Sequence, residues 1–218
     1  MNSSTSPHIT VEIWSDVVCP FCYIGKRNYE AAVAEFGHPE AITTTFKSFQ
    51  LEPDFRQDPA KPYNLTEGLT LKYGRPVEEI IEMQQRIVNT AKTAGLEFNF
   101  DTAITFNTFD AHRLIHHAAG KGLGQTLIEQ LFASYFTLGK NLGDNTVLAA
   151  TAVASGLHAT EVNEILAGNR YTDNVLADIT EAADLGVTGV PFFVFNRTYA
   201  VSGAEPKQVF LDTIKKVY

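Results

Sequence analysis

Apolar and polar residues alternate at the start of the chain and then change to helical spacing. Residues 8–15 (HITVEIWS) alternate β-branched or aromatic side chains with polar ones, which predicts a strand. Over residues 21–36 the apolar positions recur three and four apart, and Gly37 follows as a stop signal. Residues 42–51, rich in threonine and phenylalanine, predict a second strand. Because a helix joins the two strands, they are expected to lie parallel with a right-handed crossover.

The middle of the chain has a different, helical pattern. A loop with three prolines (Pro53, Pro59 and Pro62) precedes it. Helical segments separated by glycine, asparagine or aspartate follow at residues 77–94, 109–119, 124–138, 145–154 and 159–167. This region predicts an all-helical insertion.

Sheet-like patterning returns near the end of the chain. A helical stretch at 173–185 is followed by two short predicted strands at 192–195 and 199–202, and residues 204–218 form an amphipathic last helix. The order of elements is therefore β-α-β, a helical insertion, and then α-β-β-α. This order predicts an α/β fold interrupted by helices.

The composition and net charge of the chain limit the kinds of molecule that it is expected to bind. With 218 residues, 44% of them hydrophobic, the chain can bury a full core. The net charge of −8 and the lack of a lysine- or arginine-rich run argue against nucleic acid. No apolar run reaches the roughly 18 residues of a membrane span. Residues 1–10 lack the charged start and apolar stretch of a secretory signal, so we expect a soluble, cytoplasmic protein.

The sequence contains two cysteines, Cys19 and Cys22, at the junction between the first predicted strand and helix. Two are too few for a secreted disulfide framework. Residues three apart on a helix face the same way, so the two thiols can close a small disulfide ring. Their spacing therefore predicts redox chemistry.

The position of the pair assigns a role to each cysteine. A helix N-terminus favours a thiolate, so Cys19 is the predicted nucleophile, and Cys22, one turn inside, is the predicted resolving thiol. Pro20 suits the first helical position, where a missing N–H costs nothing. Phe21 is uncharged and donates no hydrogen bond, which predicts a reduction potential between about −270 and −120 mV.

Two further interpretations concern residues near the pair. Asp16 either relays a proton to or from Cys22 or is a loop residue that helps start the helix, and the second interpretation is favoured. The pair could also be half of a zinc site completed by His112 and His116, four apart on a predicted helix. A zinc knuckle usually places its cysteines in a turn, without an internal proline at a helix start, so no metal is predicted.

Several motifs resemble the DsbA-like thioredoxin superfamily. They are residues 19–25 (CPFCYIG), which follow the first strand, and residues 188–193 (TGVPFF). The chain is more closely similar to the FrnE-type branch in the Asp-x-x-Cys-Pro-x-Cys run of residues 16–22, and in residues 107–114 (NTFDAHRL) and 201–206 (VSGAEP).

The resemblance implies a thioredoxin-like α/β fold with a large all-helical insertion. Residues 1–60 and 172–218 would form the thioredoxin-like domain, and residues 61–171 the inserted helical domain, a lid beside the cysteines. In this superfamily the proline at the position of Pro191 is cis, and the backbone at the position of Val190 pairs with substrate. Asn107 and His112 would line the cleft, although His112 could equally only cap or pack within its helix.

The implied function is thiol–disulfide exchange with protein or small-molecule thiols and disulfides, without a bound cofactor and with glutathione as a candidate co-substrate. Because an export signal is lacking and Phe21 replaces the histidine of the best-known periplasmic members, a cytosolic reductase, isomerase or oxidative-stress enzyme is favoured. One alternative is a glutathione-dependent enzyme of the kappa or hydroxychromene-carboxylate type, which typically has serine at the position of Cys19. Another is a non-catalytic accessory module of a biosynthetic pathway.

Overall fold

The computed structural model describes residues 8–56 and 64–218, in which four strands form one mixed sheet. The strands are β1 (Ile9–Ser15), β2 (Ile42–Ser48), β3 (Phe192–Phe195) and β4 (Tyr199–Ser202). Their order is β2-β1-β3-β4; β1 and β2 are parallel, and β3 runs antiparallel to both of its neighbours. The predicted parallel β-α-β unit is confirmed. Of the predicted proline loop, Pro59 and Pro62 lie outside the described residues.

Apart from one additional helix, the helices follow the predicted order. They are α1 (Pro20–Phe36), α2 (Leu65–Tyr73), α3 (Val77–Thr93), α4 (Phe109–Gly120), α5 (Gly124–Phe132), α6 (Asn145–Ala154), α7 (Ala159–Ala167), α8 (Thr172–Asp184) and α9 (Lys207–Val217). Short 3₁₀ helices occupy Pro39–Ala41 and Phe100–Thr102, and a π turn (Ala133–Thr137) continues α5. Within the described ranges, no helix is long and apolar enough to cross a membrane.

The main differences from the prediction are one additional helix and the bounds of two elements. Helix α2 was not predicted, and it has no buried residue whose spacing could have revealed it; Asn64 caps it by accepting a hydrogen bond from the Thr66 N–H (2.9 Å). Strand β2 ends at Ser48, three residues early; the Phe49 N–H still donates to the Ser15 carbonyl of β1 (3.2 Å), and the Leu51 N–H donates to the Asp16 carboxylate (2.8 Å). Helix α9 begins at Lys207, after Pro206, and not at residue 204.

Helix α1 contributes to two separate apolar clusters. The first, the sheet core, joins one face of the sheet to α1 and α9 and includes Ile13, Tyr29, Ala32, Phe193 and Phe210. The second, the helical core, joins the start of α1 to the inserted helices and includes Cys19, Cys22, Tyr23, Phe132 and Phe136. The cysteine pair therefore packs with the inserted helices. The predicted division into domains at residues 60/61 and 171/172 stays a prediction.

A third, smaller cluster lies on the opposite face of the sheet. It contains Trp14 from β1, Ala182 from α8, and Val187 and Val194. The alternation along β1 produces this arrangement, since Ile13 belongs to the sheet core and its neighbour Trp14 points the other way. The sheet is thus covered on both faces.

Candidate active site

The cysteine pair lies at the first turn of α1. Cys19 is the residue before the helix, with an extended backbone, Pro20 is the first helical residue, and Cys22 is inside the first turn. The Cys19 N–H donates to the Asp16 backbone carbonyl (3.1 Å). No side chain caps the helix. The Cys22 N–H donates to the Cys19 carbonyl (3.0 Å), and because no side chain offsets the partial positive charge of this helix end, it favours an anion at Cys19.

Both thiols are buried and free, with Cys19 4% and Cys22 2% exposed. Burial raises the pKa of the Cys22 thiol well above its ordinary value, and the neighbouring Cys19 adds to this rise; the Ser15 side chain and the Asp16 backbone oppose it. Phe21, between the cysteines, is 43% exposed. The pair thus consists of a thiol at the helix start and a more deeply buried partner.

The Cys19 thiol faces the segment before β3. Its Sγ donates a hydrogen bond to the Val190 carbonyl (3.4 Å), and the Val190–Pro191 peptide bond is cis, as the resemblance implies. Gly25 of α1 packs against Pro191 so closely that a Cβ on this glycine would lie 3.0 Å from Pro191 Cγ. The Gly203 N–H donates to the Pro191 carbonyl (2.8 Å). Pro191 is therefore held between α1 and the end of β4.

A groove of about 320 Å³ runs along this segment, lined from Gly186 to Phe192 and by Ser202 and Gly203. Its wall includes the two residues that the resemblance assigns to substrate binding, Val190 and Pro191. Val190 lines the groove and also accepts the hydrogen bond from Cys19, so the groove adjoins the Cys19 thiol.

Asp16 lies in the loop before α1, where its backbone carbonyl accepts the Cys19 N–H, and its side chain makes no cap on the helix; its two interpretations, proton relay and helix start, stay predictions. The residue is 1% exposed, and its carboxylate accepts a hydrogen bond from the Leu51 N–H (2.8 Å) through Oδ2. Its Oδ1 lies 3.3 Å from Nε2 of His112, which is 2% exposed. The interpretation that His112 only caps or packs within its own helix is thus incomplete, because His112 contacts Asp16 across 96 positions of the chain.

Asn107 holds the chain that follows β2. Its Oδ1 accepts hydrogen bonds from Gln50 Nε2 (3.1 Å) and the Phe109 N–H (3.0 Å), and its Nδ2 donates to the carbonyls of Pro53 (3.2 Å) and Phe55 (3.1 Å). Asn107 also lines a second groove, of about 260 Å³, beside the start of α6. Asn107 and Pro191 therefore line different grooves, and His112 lines neither of them.

Two buried hydroxyls near Asp16 were not predicted. Ser15 Oγ and the Tyr135 hydroxyl are both buried and have no hydrogen-bond partner. Burial raises the pKa of Tyr135, and the charge of the nearby Asp16 raises it further, so the phenol stays protonated. Tyr135 lies in the π turn, which the periodic pattern of the sequence does not reveal.

The histidines of the proposed zinc alternative point to different partners. His112 faces Asp16, whereas Nε2 of His116 lies 3.0 Å from Asp178 Oδ2 and 3.2 Å from the Ser48 hydroxyl. In the part of the chain that the structure describes, no three or more histidine, cysteine, aspartate or glutamate residues are grouped to hold a metal ion. The cysteines and these histidines do not converge on one site.

Several known proteins are similar to this chain in sequence or in structure. A probable DsbA oxidoreductase from Streptomyces coelicolor is 38% identical, with a TM-score of 0.91 over 96% of this chain and 90% of that one. The cytosolic disulfide reductase DsbM from Pseudomonas aeruginosa, solved with GSH, is 16% identical, with a TM-score of 0.65 over 95% of this chain and 99% of that one. At this low identity, the similarity shows only a shared fold. The uncharacterized protein YwbO from Bacillus subtilis is 27% identical, over 94% of this chain and 96% of YwbO.

The family model for the DSBA-like thioredoxin domain matches residues 10–215, nearly the whole chain. The match includes the cysteine pair, the inserted helices and the segment with the cis-proline. The chain belongs to the DSBA-like thioredoxin family of oxidoreductases.

Proposed function

We propose that this protein is a thiol–disulfide oxidoreductase that uses Cys19 as the nucleophile and Cys22 as the resolving thiol. The observation that carries the proposal is the position of the pair. Cys19 lies at an uncapped helix N-terminus beside Val190, and Cys22 is buried one turn inside. A helix N-terminus stabilises a thiolate, the reactive form of cysteine.

The reaction transfers two electrons in two exchange steps. The Cys19 thiolate attacks one sulfur of a substrate disulfide; the substrate S–S bond breaks, and the departing sulfur leaves as a thiolate. Cys22 then loses its proton and attacks Cys19 Sγ. The Cys19–Cys22 bond forms, and the second substrate sulfur leaves as a thiolate. In the opposite direction the oxidised pair accepts two electrons from a substrate dithiol.

The groove beside Pro191 is the proposed place for the substrate chain next to its reacting sulfur. In the reduced protein the Val190 carbonyl accepts the Cys19 hydrogen bond, and ionisation of Cys19 removes that donor. A substrate backbone N–H can then pair with the same carbonyl. Asn107 supports the site indirectly, since it holds the chain between Gln50 and Phe55 in place.

Protein or small-molecule disulfides are the proposed substrates, with glutathione as a co-substrate that returns or removes electrons. Phe21 supplies no charge and no hydrogen bond to the thiolate, which supports a reduction potential between about −270 and −120 mV. Equilibration of the purified protein with glutathione buffers measures this value.

The cytoplasm is the proposed compartment, and the FrnE type the proposed branch of the family. The first is supported by cysteine usage, because Cys19 and Cys22 are the only cysteines and none remains for a structural disulfide. The second is supported by residues 107–114, which supply Asn107 and His112. Alkylation of thiols in intact cells reports the redox state of the pair.

Reduction of a model peptide disulfide by reduced glutathione tests the function. We expect the wild-type protein to accelerate the reaction and Cys19→Ser to abolish the acceleration. Cys22→Ala is the matched control, since it keeps the nucleophile and should accumulate a mixed disulfide on Cys19, visible as added mass. Equal activity of the wild type and Cys19→Ser would remove the proposal.

A further inference from the structure

Asn28 of α1 forms a hydrogen bond with the segment that leads into the last helix. Its Nδ2 donates to the Glu205 carbonyl (2.9 Å), across 177 positions of the chain. Asn28 lies one turn beyond Gly25, on the face of α1 that approaches Pro191. An asparagine inside a helix usually weakens it, because the amide competes for backbone hydrogen bonds. Here the amide instead connects the helix to another part of the chain.

Glu205 belongs to the connection between β4 and α9, residues 203–206. Its carbonyl lies outside α9, which begins at Lys207, and Asn28 is its hydrogen-bond partner. At the other end of the connection, the Gly203 N–H donates to the Pro191 carbonyl (2.8 Å). The connection is therefore bonded to α1 at one end and to the segment before β3 at the other.

The connection also packs against α1 between these two bonds. A Cβ on Gly25 would lie 3.4 Å from Ala204 Cα, so the backbones of α1 and the connection approach closely. Cys19, at the start of the same helix, donates to the Val190 carbonyl in the segment before β3. The distance between α1 and the connection therefore bears on the distance between Cys19 and Val190.

A further polar link between α1 and the end of the chain is weaker. Glu35 pairs with Lys207 (2.5 Å), and both side chains are about half exposed. Exposed pairs of this kind contribute little to holding two elements together. Glu35 also lies about two turns further from Cys19 than Asn28 does. Of these two links, the Asn28 bond is therefore the one placed to fix the connection near the thiols.

We propose that Asn28 is a positioning residue for the redox pair, and that its bond to Glu205 holds residues 190–191 at the distance from Cys19 that substrate exchange needs. The inference rests on the proposed function, in which a substrate backbone pairs with the Val190 carbonyl. Asn28 takes no part in the transfer of electrons. It acts on substrate binding through the connection, which is bonded to Pro191.

Hydrogen exchange of the Gly203 amide tests the link to Pro191 without any substrate. Asn28→Ala removes the donor and keeps a good helix former, so the variant should fold. We expect its Gly203 amide to exchange about fivefold faster, the factor that corresponds to the net worth of one hydrogen bond. Asn89→Ala is the matched control, because Asn89 lies in a helix of the same length, 17 residues, and accepts a bond from Gln85 within that helix. It should leave Gly203 exchange unchanged.

Single-turnover oxidation of the reduced protein tests the effect on substrate. The substrate disulfide takes up two electrons as the Cys19–Cys22 bond forms, and mass spectrometry after alkylation counts the remaining thiols. We expect Asn28→Ala to raise the half-saturating concentration of a short peptide disulfide about fivefold, with the limiting rate within a factor of about two. Cystamine has no peptide backbone to pair with Val190, so its rate should stay within the same factor. Asn28→Asp, which sets a carboxylate against the Glu205 carbonyl, should raise the half-saturating concentration further.

Unchanged Gly203 exchange or an unchanged half-saturating concentration in Asn28→Ala overturns the inference. Equal slowing with the peptide disulfide and with cystamine overturns it as well, since a general loss of structure would produce that result. If Asn28→Asp does not fold, Asn28→Ala decides. Failure of the proposed function looks different, because the wild type would then be oxidised by neither disulfide, while Gly203 exchange could still respond to Asn28→Ala.

Discussion

Helix α1 packs in both the sheet core and the helical core, but only the helical core contains the two cysteines. The sheet core surrounds Tyr29, which makes edge-on contacts with Phe195 and Phe210. The helical core surrounds Tyr23, whose ring stacks on Phe132 with centroids 4.9 Å apart, and it encloses both cysteines. The inserted helices therefore bury both thiols of the candidate active site.

The polar contacts of α1 show the same difference. Toward α5, Glu129 accepts hydrogen bonds from Lys26 (2.6 Å), whose side chain is almost fully buried, from the Tyr23 hydroxyl (2.7 Å) and from Arg27. Toward α9, Glu35 pairs with Lys207 at the surface. Helix α1 is thus joined to the insertion by a partly buried ionic network, and to the last helix by an exposed pair.

The sharpest test of this comparison deletes one large ring from each core. Phe132→Ala and Phe210→Ala each remove a fully buried ring and should each lower the free energy of unfolding by about 3–5 kcal/mol, measured in urea. Only Phe132→Ala should also speed alkylation of Cys22 in the folded protein, because its cavity opens in the core that encloses the thiols, against Tyr23, the residue after Cys22. Equal alkylation of Cys22 in the two variants would contradict the separation of the cores.

The ionic network should contribute more than the surface pair. Glu129→Gln leaves Lys26 and Arg27 with fewer partners in a partly buried site, and should cost about 2 kcal/mol of unfolding free energy. Glu35→Gln is the matched control; its side chain is half exposed at the surface, so no measurable loss is expected. Thermal or urea unfolding of the two variants measures the difference, and similar losses would show that burial does not matter here.

The close approach of α1 to Pro191 can be tested with one methyl group. Gly25→Ala should destabilise the protein by about 1 kcal/mol, because crowding against Pro191 Cγ exceeds the gain in helix propensity. Gly120→Ala in α4, where an added Cβ meets nothing within 4 Å, should instead stabilise by about 0.5–1 kcal/mol. Stabilisation by both substitutions would mean that Pro191 yields readily.

The smallest predicted effect is the contribution of Asp178, on the other face of the sheet, to stability at low pH. Burial by itself would raise the pKa of Asp178, but His116, Lys47 and the Ser48 N–H outweigh it and hold the pKa below its usual range. A lowered pKa in the folded state gives stability that is present above the unfolded value of about 3.9 and is lost as pH falls through the folded value.

The urea midpoint of the wild type should therefore fall more steeply below about pH 4 than that of Asp178→Asn, which cannot titrate. Measurements at closely spaced pH values, with Asp184→Asn as a control, test this. Parallel curves for the wild type and Asp178→Asn would contradict the predicted contribution.

Local patterns in the sequence predicted most of the elements. The two short strands and helices α6 and α7 have the predicted bounds, because alternation and helical spacing are properties of neighbouring residues. Helix α2 was missed since it buries no side chain. The antiparallel pairing of β3 with β1 was not predicted, because the local sequence of a strand does not show which distant strand it pairs with.

The site was predictable to a smaller extent. The spacing of Cys19 and Cys22 singled out the cysteine pair, and the resemblance singled out Pro191. In the structure, Cys19 contacts Val190, the residue before Pro191. Asp16 and His112 were each singled out, but their contact was not, because it joins residues 96 positions apart. Ser15 and Tyr135 were missed because a hydroxyl on an otherwise apolar helix or strand has no distinguishing pattern.

The exposure of Phe21 has a consequence for how such proteins diversify. Phe21 lies between the two thiols, yet it belongs to neither core, and nearly half of its surface faces solvent. Substitutions here can alter the environment of the thiolate without a loss of packing that the fold must compensate. Evolution and protein engineering can therefore adjust the chemistry at this position separately from stability.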